Sequence, residues 1–214
     1  MAIPKQIFQT FKTSKLPFLT RFHIWHLKRK NPEYTYHFYD DAAIEAFLVE
    51  NFDEKIFNAY KKIKIGAAKA DFFRYAILYI KGGVYLDIDS LITSKIDNFI
   101  IPSDEALIAL EKHGEYYCQW ALFYNAGHPF LKQTLADIAE NIEENKFPDD
   151  VHQTTGPTAY TKAIKKVLVQ NNTTVYREIG KDYDNHAKFS YPMSKFFIYG
   201  LGRKGHWKNQ QKNK

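Results

Sequence analysis

Cysteine is almost absent from this sequence: Cys118 is the only one in 214 residues. A single thiol excludes an internal disulfide and a cysteine-built zinc cage, leaving a lone nucleophile as the only cysteine chemistry. Cys118 is expected to be a small buried hydrophobe. Long apolar runs are missing as well. No stretch of about 18 consecutive apolar residues occurs, and the opening Met1-Ala2-Ile3-Pro4-Lys5 carries no apolar core of a secretory leader. The chain is therefore expected to be soluble and cytoplasmic. Internal repeats and low-complexity linkers are lacking too, so one domain over residues 1–203 is expected, followed by a flexible basic tail over 204–214.

What the sequence does have is aromatic and apolar bulk. Apolar residues make up 45% and aromatics 16%, with 15 Tyr and 17 Phe. That load suits a mixed sheet core, or a site that stacks planar rings and sugars. The net charge of +6 is spread along the chain, with clusters at Lys28-Arg29-Lys30, Lys61-Lys62-Ile63-Lys64 and Lys204 to Lys214. Such clusters suit solvated faces, a diphosphate, nucleic acid or anionic lipid.

Periodicity supplies the element order. Lys5 to Thr10 predicts a strand, Pro17 to Lys30 a helix with apolar spacing at Phe18, Phe22, Trp25 and Leu27, and Tyr34 to Tyr39 a second strand. Asp40-Asp41 starts a helix through Val49, and another runs from Asp53 to about Lys64. A helix over Gly66 to Lys81 ends at Gly82-Gly83, expected as a left-handed cap, before a strand over Val84 to Asp89. Strands at Ala106 to Leu110, Trp120 to Tyr124 and Val175 to Ile179, with helices at Pro129 to Lys146 and Pro157 to Gln170, complete the pattern. This alternation predicts an α/β layer fold with a mostly parallel central sheet flanked by helices.

The chemistry concentrates at Leu86-Asp87-Ile88-Asp89-Ser90. Carboxylates at i and i+2 share one face of an extended strand, where they repel each other unless a cation compensates. A hard divalent ion such as Mn²⁺ or Mg²⁺ answers that repulsion and keeps positions open for phosphate oxygens. Upstream, Asp71 and Arg74 at i, i+3 share a helical face, able to pair with each other or to reach a ligand.

The block from Ala70-Asp71 through Arg74-Tyr75, Leu78, Gly82-Gly83 and Tyr85 to Asp87 and Asp89 resembles glycosyltransferase family 32, which includes the fungal Golgi α-mannosyltransferases and the large clostridial glucosylating toxins. Ile3-Pro4-Lys5-Gln6-Ile7-Phe8-Gln9-Thr10 is similar to that family's opening I-P-K-x-I-H-Q-T. Asn125-Ala126, His128-Pro129, Thr155-Gly156-Pro157 and Tyr191-Pro192 extend the resemblance over nearly the whole chain.

The resemblance implies a GT-A fold, a Rossmann-like sandwich with the donor at the carboxyl ends of its strands. It implies that Gln9 and Thr10 contact the base or ribose, and that Asp71 and Arg74 reach the donor sugar and phosphates, with Gly83 and Tyr85 beside them. Asp87 would contact ribose and metal, and Asp89 would ligate the cation. Family members close the metal site with an H-H-W segment followed by S-W. Gly205-His206-Trp207 is the nearest match, which makes His206 the candidate third ligand and Trp207 a cover for the diphosphate. The resemblance further implies retention of anomeric configuration and a nucleotide-sugar donor. The expected absence of a membrane anchor suits a soluble transferase with a glycan, lipid-linked or protein acceptor in surface-polysaccharide synthesis. Peripheral membrane contact through the basic tail is a further expectation, and no nucleic-acid partner is expected.

Two other readings stand beside the transferase. A two-metal phosphohydrolase or nuclease would use the same carboxylates and need further ligands, for which Asp104-Glu105 and Asp149-Asp150 are available. A basic, aromatic nucleic-acid-binding module would leave the pairing of Asp87 with Asp89 unexplained. His128 and His152 are expected to lie at a helix start and in a loop, outside the site.

Overall fold

The computed structural model describes residues 2–199. Among these the order is β1 (Gln6–Thr10), α1 (Phe18–Lys30), β2 (Thr35–Tyr39), α2 (Asp41–Asn51), α3 (Glu54–Lys62), α4 (Gly66–Lys81) and β3 (Gly83–Leu86). There follow β4 (Leu91–Ile92), a 3-10 turn at Ile96–Asn98, β5 (Ala106–Ala109), β6 (Ala121–Tyr124), α5 (Pro129–Glu143), α6 (Val151–Thr154) and α7 (Pro157–Gln170). The chain then runs through β7 (Arg177–Ile179), α8 (Lys181–Asp184), β8 (Ala187–Lys188) and α9 (Ser194–Tyr199). The expected basic tail at 204–214 lies outside the described residues.

Helix starts follow the capping chemistry of the sequence. Asp40 accepts a hydrogen bond from the Ala43 amide at 3.0 Å, and Asp53 one from Ile56 at 2.9 Å, so each satisfies an orphan donor of the helix it precedes. Gly82 ends α4 differently from the left-handed cap expected: φ is +62° but ψ is −177°. That region is open to glycine alone. A Cβ there would stand 2.7 Å from the Ala126 amide nitrogen and 2.9 Å from the Pro4 ring, so close backbone approach excludes a side chain as well.

Six strands form the main sheet in the order β2-β1-β3-β6-β5-β7. β1 pairs in parallel with β2 and β3, and β5 with β7, while β6 runs against both β3 and β5. One reversed strand in an otherwise parallel sheet is the mostly parallel arrangement that the alternation predicts. Alternate residues of each strand enter opposite layers. Phe8, Tyr85, Leu122 and Tyr124 pack with α2, α4, α5 and α7, whereas Ile7, Val84, Leu86 and Phe123 pack with Leu27, Ile96, Phe99, Trp120 and Tyr183.

Three features escape the sequence pattern. α1 forms where expected, but Phe18, Phe22 and Trp25 stand exposed and of the predicted stripe only Leu27 is buried. A small second sheet pairs β4 with β8 directly beyond the acidic motif. At α8, Asp182, Tyr183, Asp184 and Asn185 all have φ between 50° and 65°, a left-handed turn without glycine. Such a turn is costly for L-residues and persists only when packing dictates it. The wholly buried Tyr183 does so, its hydroxyl donating to the Ala121 carbonyl at 2.6 Å. No helix among the described residues is long and apolar enough to cross a membrane.

Candidate functional site

In the sheet order, β2 lies on one side of β1 and β3 on the other. Open α/β sheets form a crevice at such a switch point, outside the carboxyl ends of the strands. Both strands end there in polar residues: Gln9-Thr10 on β1, and Asp87 immediately after β3.

The acidic motif does not continue the strand as expected. β3 stops at Leu86; the Asp87 amide makes one more bond to the Trp120 carbonyl at 2.8 Å, and the Ser90 amide then donates to the Asp87 carbonyl at 2.9 Å. Asp87 and Asp89 are thus presented by a tight turn, because the ladder partner runs out at Trp120 and the chain bends toward β4. A shared strand face is not what relates the two carboxylates.

Arg74 occupies the centre of the charged cluster, 4% exposed. Its Nη2 lies 2.8 Å from Asp87 Oδ1 and 3.1 Å from Asp71 Oδ1, its Nη1 donates to the Gln119 carbonyl at 2.8 Å, and its guanidinium sits over the Tyr85 ring at 5.0 Å. The i, i+3 pairing of Asp71 with Arg74 is therefore present, and it extends to Asp87 across the helix–strand junction. Asp71 is further held by the Thr155 hydroxyl at 2.9 Å and the Gln119 amide at 3.3 Å. In this geometry the guanidinium is committed to the two carboxylates and orients Asp87.

Burial raises the pKa of both acids. Asp71 is pushed up to about 7 by desolvation, against which the Arg74 charge pulls it down and the neighbouring Asp87 pushes further up. Desolvation likewise raises Asp87, opposed by Arg74 and the Tyr85 hydroxyl. Two acids sharing one guanidinium in a desolvated place can keep a proton between them, and where both are ionised one negative charge is left for a further cation.

Gln9 links β1 to the acidic turn. Its amide donates to the Asp87 carbonyl at 3.0 Å and its Oε1 accepts from the Tyr36 hydroxyl at 3.1 Å. Thr10 is tied to the end of β2, its hydroxyl donating to the Tyr39 carbonyl at 2.8 Å. Gly83, with φ of +108°, opens β3, where a Cβ would meet the Gln6 carbonyl oxygen at 2.8 Å. Tyr85 places its hydroxyl 3.3 Å from Asp87 Oδ1.

Asp89 is nearly buried, and the backbone next to it is clamped by the chain that follows β8. The Tyr191 amide donates to the Asp89 carbonyl at 2.8 Å, the Tyr191 hydroxyl meets Thr20 at 2.8 Å, and its ring stacks on His23 with centroids 3.9 Å apart. α1, the acidic turn and the C-terminal segment thereby meet in one place.

Among the described residues, the acidic turn offers carboxylate oxygens of the kind a divalent cation takes. Asp87 keeps Oδ1 on Arg74 and Tyr85, and no hydrogen bond among the described residues falls on its Oδ2. Carboxylate oxygens suit a hard ion. No group of three metal-ligating side chains occurs among the described residues, so the remaining positions fall to phosphate, water or residues beyond 199. His206 and Trp207 lie outside the described residues.

Two of the four acids available to a phosphohydrolase are engaged elsewhere. Asp104 is paired with Arg177 at 2.6 Å, and Asp150 caps α6. His128 caps α5 as expected, its Nδ1 accepting from the Phe130 amide at 3.2 Å. His152 lies in α6, where a loop is expected, with its Nδ1 2.7 Å from the Thr158 hydroxyl. Cys118 is buried, which raises its thiol pKa and removes it as a nucleophile. The residue that sequence reasoning misses is Gln119, which touches both Asp71 and Arg74 from 45 or more positions away with no motif to mark it.

Comparison with known structures defines the fold first. The glycosyltransferase domain from the YGT toxin superposes with a TM-score of 0.63 in its ligand-free form, at 11% identity over 85% of this chain and 81% of that one, and with 0.59 in its UDP-bound form. The fold is thus the GT-A type. Residues 17–107, which contain Asp71, Arg74, Asp87 and Asp89, match the family described as the glycosyltransferase sugar-binding region containing the DXD motif. Among curated proteins, the initiation-specific alpha-1,6-mannosyltransferase of Schizosaccharomyces pombe is 31% identical over 201 residues, spanning 78% of this chain and 49% of that protein. Its counterpart from Candida albicans is 28% identical over 220 residues, 84% of this chain and 56% of that protein. The chain spans about half the length of these curated relatives.

Proposed function

We propose that the chain is a glycosyltransferase that moves a hexose from a nucleotide-diphosphate sugar to a glycan, lipid-linked or protein acceptor, with retention of configuration and with Mn²⁺ or Mg²⁺ at Asp87 and Asp89. The observation that carries this reading is the Asp71–Arg74–Asp87 bridge at the switch point of the sheet, inside the segment that matches the DXD family. The UDP-bound state of the YGT toxin domain and the mannosyltransferase names of the fungal relatives support a nucleotide-sugar donor, carrying uridine or guanosine.

The reaction breaks the bond between the anomeric carbon and the diphosphate, and negative charge grows on the leaving phosphate. A bound divalent cation supplies electrostatic stabilisation of that charge. Arg74 orients Asp87 and offsets its charge, leaving Oδ2 for the cation. Asp71, set by Thr155 and Gln119, keeps the guanidinium in register. Gln9 fixes the Asp87 carbonyl and so the geometry of the turn. Gln9 and Thr10 border the crevice where a base or ribose would sit, with Gly83 and Tyr85 beneath it, and His206 and Trp207 are proposed to complete the site from beyond the described residues.

Incubation with UDP- and GDP-linked hexoses in Mn²⁺ tests the activity through release of the nucleoside diphosphate. Release from one donor class, lost with Asp89→Ala and on chelation, is expected. Proton NMR of the transferred sugar reads the anomeric configuration, and an inverted product would remove retention from the proposal.

A further inference from the structure

The charge of this chain is not spread evenly, although its clusters suggest that it is. Residues 1–32 contain seven Lys or Arg and no Asp or Glu, and residues 185–214 again contain seven and none. All 24 acids lie between, against 16 bases. Among the described residues, the fold sets α9, which belongs to the second acid-free segment, against α1 of the first.

That shared face is also where large apolar side chains stand in solvent. Phe18 is 80% exposed and Trp25 52%, with Phe22 between them on the same side of α1. The Phe22 and Trp25 rings stack with centroids 5.8 Å apart, and the Arg29 guanidinium lies 5.4 Å from the Trp25 ring centre. Around α9, Met193, Phe196 and Phe197 are exposed too. An open groove of about 640 Å³ runs between α1 and β2, with Arg21, Lys28 and Arg29 beside Trp25 and Tyr36. Soluble surfaces rarely gather exposed rings this way without a partner.

We propose that the α1–α9 face docks on an anionic lipid bilayer. Exposed rings set between Arg and Lys, with no carboxylate on α1, match the demands of the interface: apolar side chains enter the acyl boundary while cations meet headgroup phosphates. The groove admits a phosphate headgroup between α1 and β2. Because His23 of α1 stacks on Tyr191, whose amide holds the Asp89 carbonyl, docking sets the acidic turn beside the membrane. An acceptor carried by a lipid would then be presented to the crevice from the bilayer. The surface itself stands independently of the donor chemistry.

Sedimentation of the full chain with phosphatidylcholine vesicles, with and without equimolar phosphatidylglycerol, tests this at low and high salt. Binding is expected only with phosphatidylglycerol, and it weakens with salt. The double variants Phe22→Ser/Trp25→Ser and Lys28→Glu/Arg29→Glu are each expected to partition at least about tenfold more weakly, with unchanged circular dichroism because these side chains are exposed. Removal of residues 204–214 is expected to leave binding that still depends on α1. Indifference to lipid charge, wild-type binding by both double variants, or complete loss on removal of 204–214 alone overturns the proposal. So does a lipid-free dimer that Phe22→Ser/Trp25→Ser dissolves, since the face would then belong to a second copy. Nucleotide titration of the same variants without vesicles reads the donor site separately, so failure of one reading is not mistaken for failure of the other.

Discussion

Arg74 Nη2 lies 2.8 Å from Asp87 Oδ1 and 3.1 Å from Asp71 Oδ1, so one buried guanidinium binds an acid of its own helix and an acid beyond the next strand. This bridge is the charged link between the acidic turn and the core, beside the Gln9, Trp120 and Tyr191 hydrogen bonds. Its removal leaves two desolvated carboxylates without compensation. Arg74→Met is expected to lower unfolding free energy by about 3–5 kcal/mol, measured by urea denaturation. Arg74→Lys should recover part of that loss, since charge returns without the planar fork. Stability equal to wild type in Arg74→Met would show that the bridge contributes nothing.

Protonation of Asp71 gives the cluster a pH dependence. Its folded-state pKa, about 7, stands above the ordinary 3.8, so the folded protein binds a proton that the unfolded chain releases between those values. The Asp71 contribution to stability is therefore full below about pH 4 and declines as pH rises to about 7. Thermal melts should show this decline in wild type and a shallower one in Asp71→Asn, which keeps an acceptor for Thr155. Identical slopes in the two proteins would contradict the assignment.

How much of this was legible in the sequence varies with the kind of information needed. Local chemistry was enough for α4, whose limits follow from its apolar spacing and Gly82, and for the Asp40 and Asp53 caps. The motif also marked residues that the fold brings together, Asp71, Arg74 and Asp87. Its geometry was not legible, because β3 ends at Leu86 where its partner strand ends, and the Asp87–Ser90 turn depends on that pairing. Gln119 and Tyr191 reach the cluster through tertiary folding alone. The exposure of Phe18, Phe22 and Trp25 was equally invisible, since helical spacing marks a stripe without saying what covers it. The acid-free segments were there to be counted, but the contact of α9 with α1 needed the fold.

Gly82 should tolerate no side chain. With φ of +62° and the Ala126 amide and Pro4 ring within 3 Å of a built Cβ, Gly82→Ala is expected to destabilise by about 1–3 kcal/mol or more. Denaturant unfolding checks this, and a neutral result would mean that the α4–β3 junction relaxes freely.

Gln9→Ala removes the donor to the Asp87 carbonyl and the acceptor of the Tyr36 hydroxyl. Unsatisfied buried groups of this kind cost about 1–3 kcal/mol. A larger signature is expected in metal-dependent nucleotide affinity, because the turn that presents Asp87 loses its anchor. Tyr36→Phe, which leaves Gln9 on the carbonyl, should affect affinity less than Gln9→Ala; the reverse order would contradict the positioning role.

The central claim is that Asp87 and Asp89 hold a divalent cation under a nucleotide diphosphate. Calorimetric titration with UDP and then GDP, each with and without Mn²⁺, on wild type and Asp89→Ala, measures it most directly. The account predicts binding of one nucleotide that requires the metal and disappears in Asp89→Ala. Absence of binding by either nucleotide under every metal condition, or binding unaffected by Asp89→Ala, would contradict it.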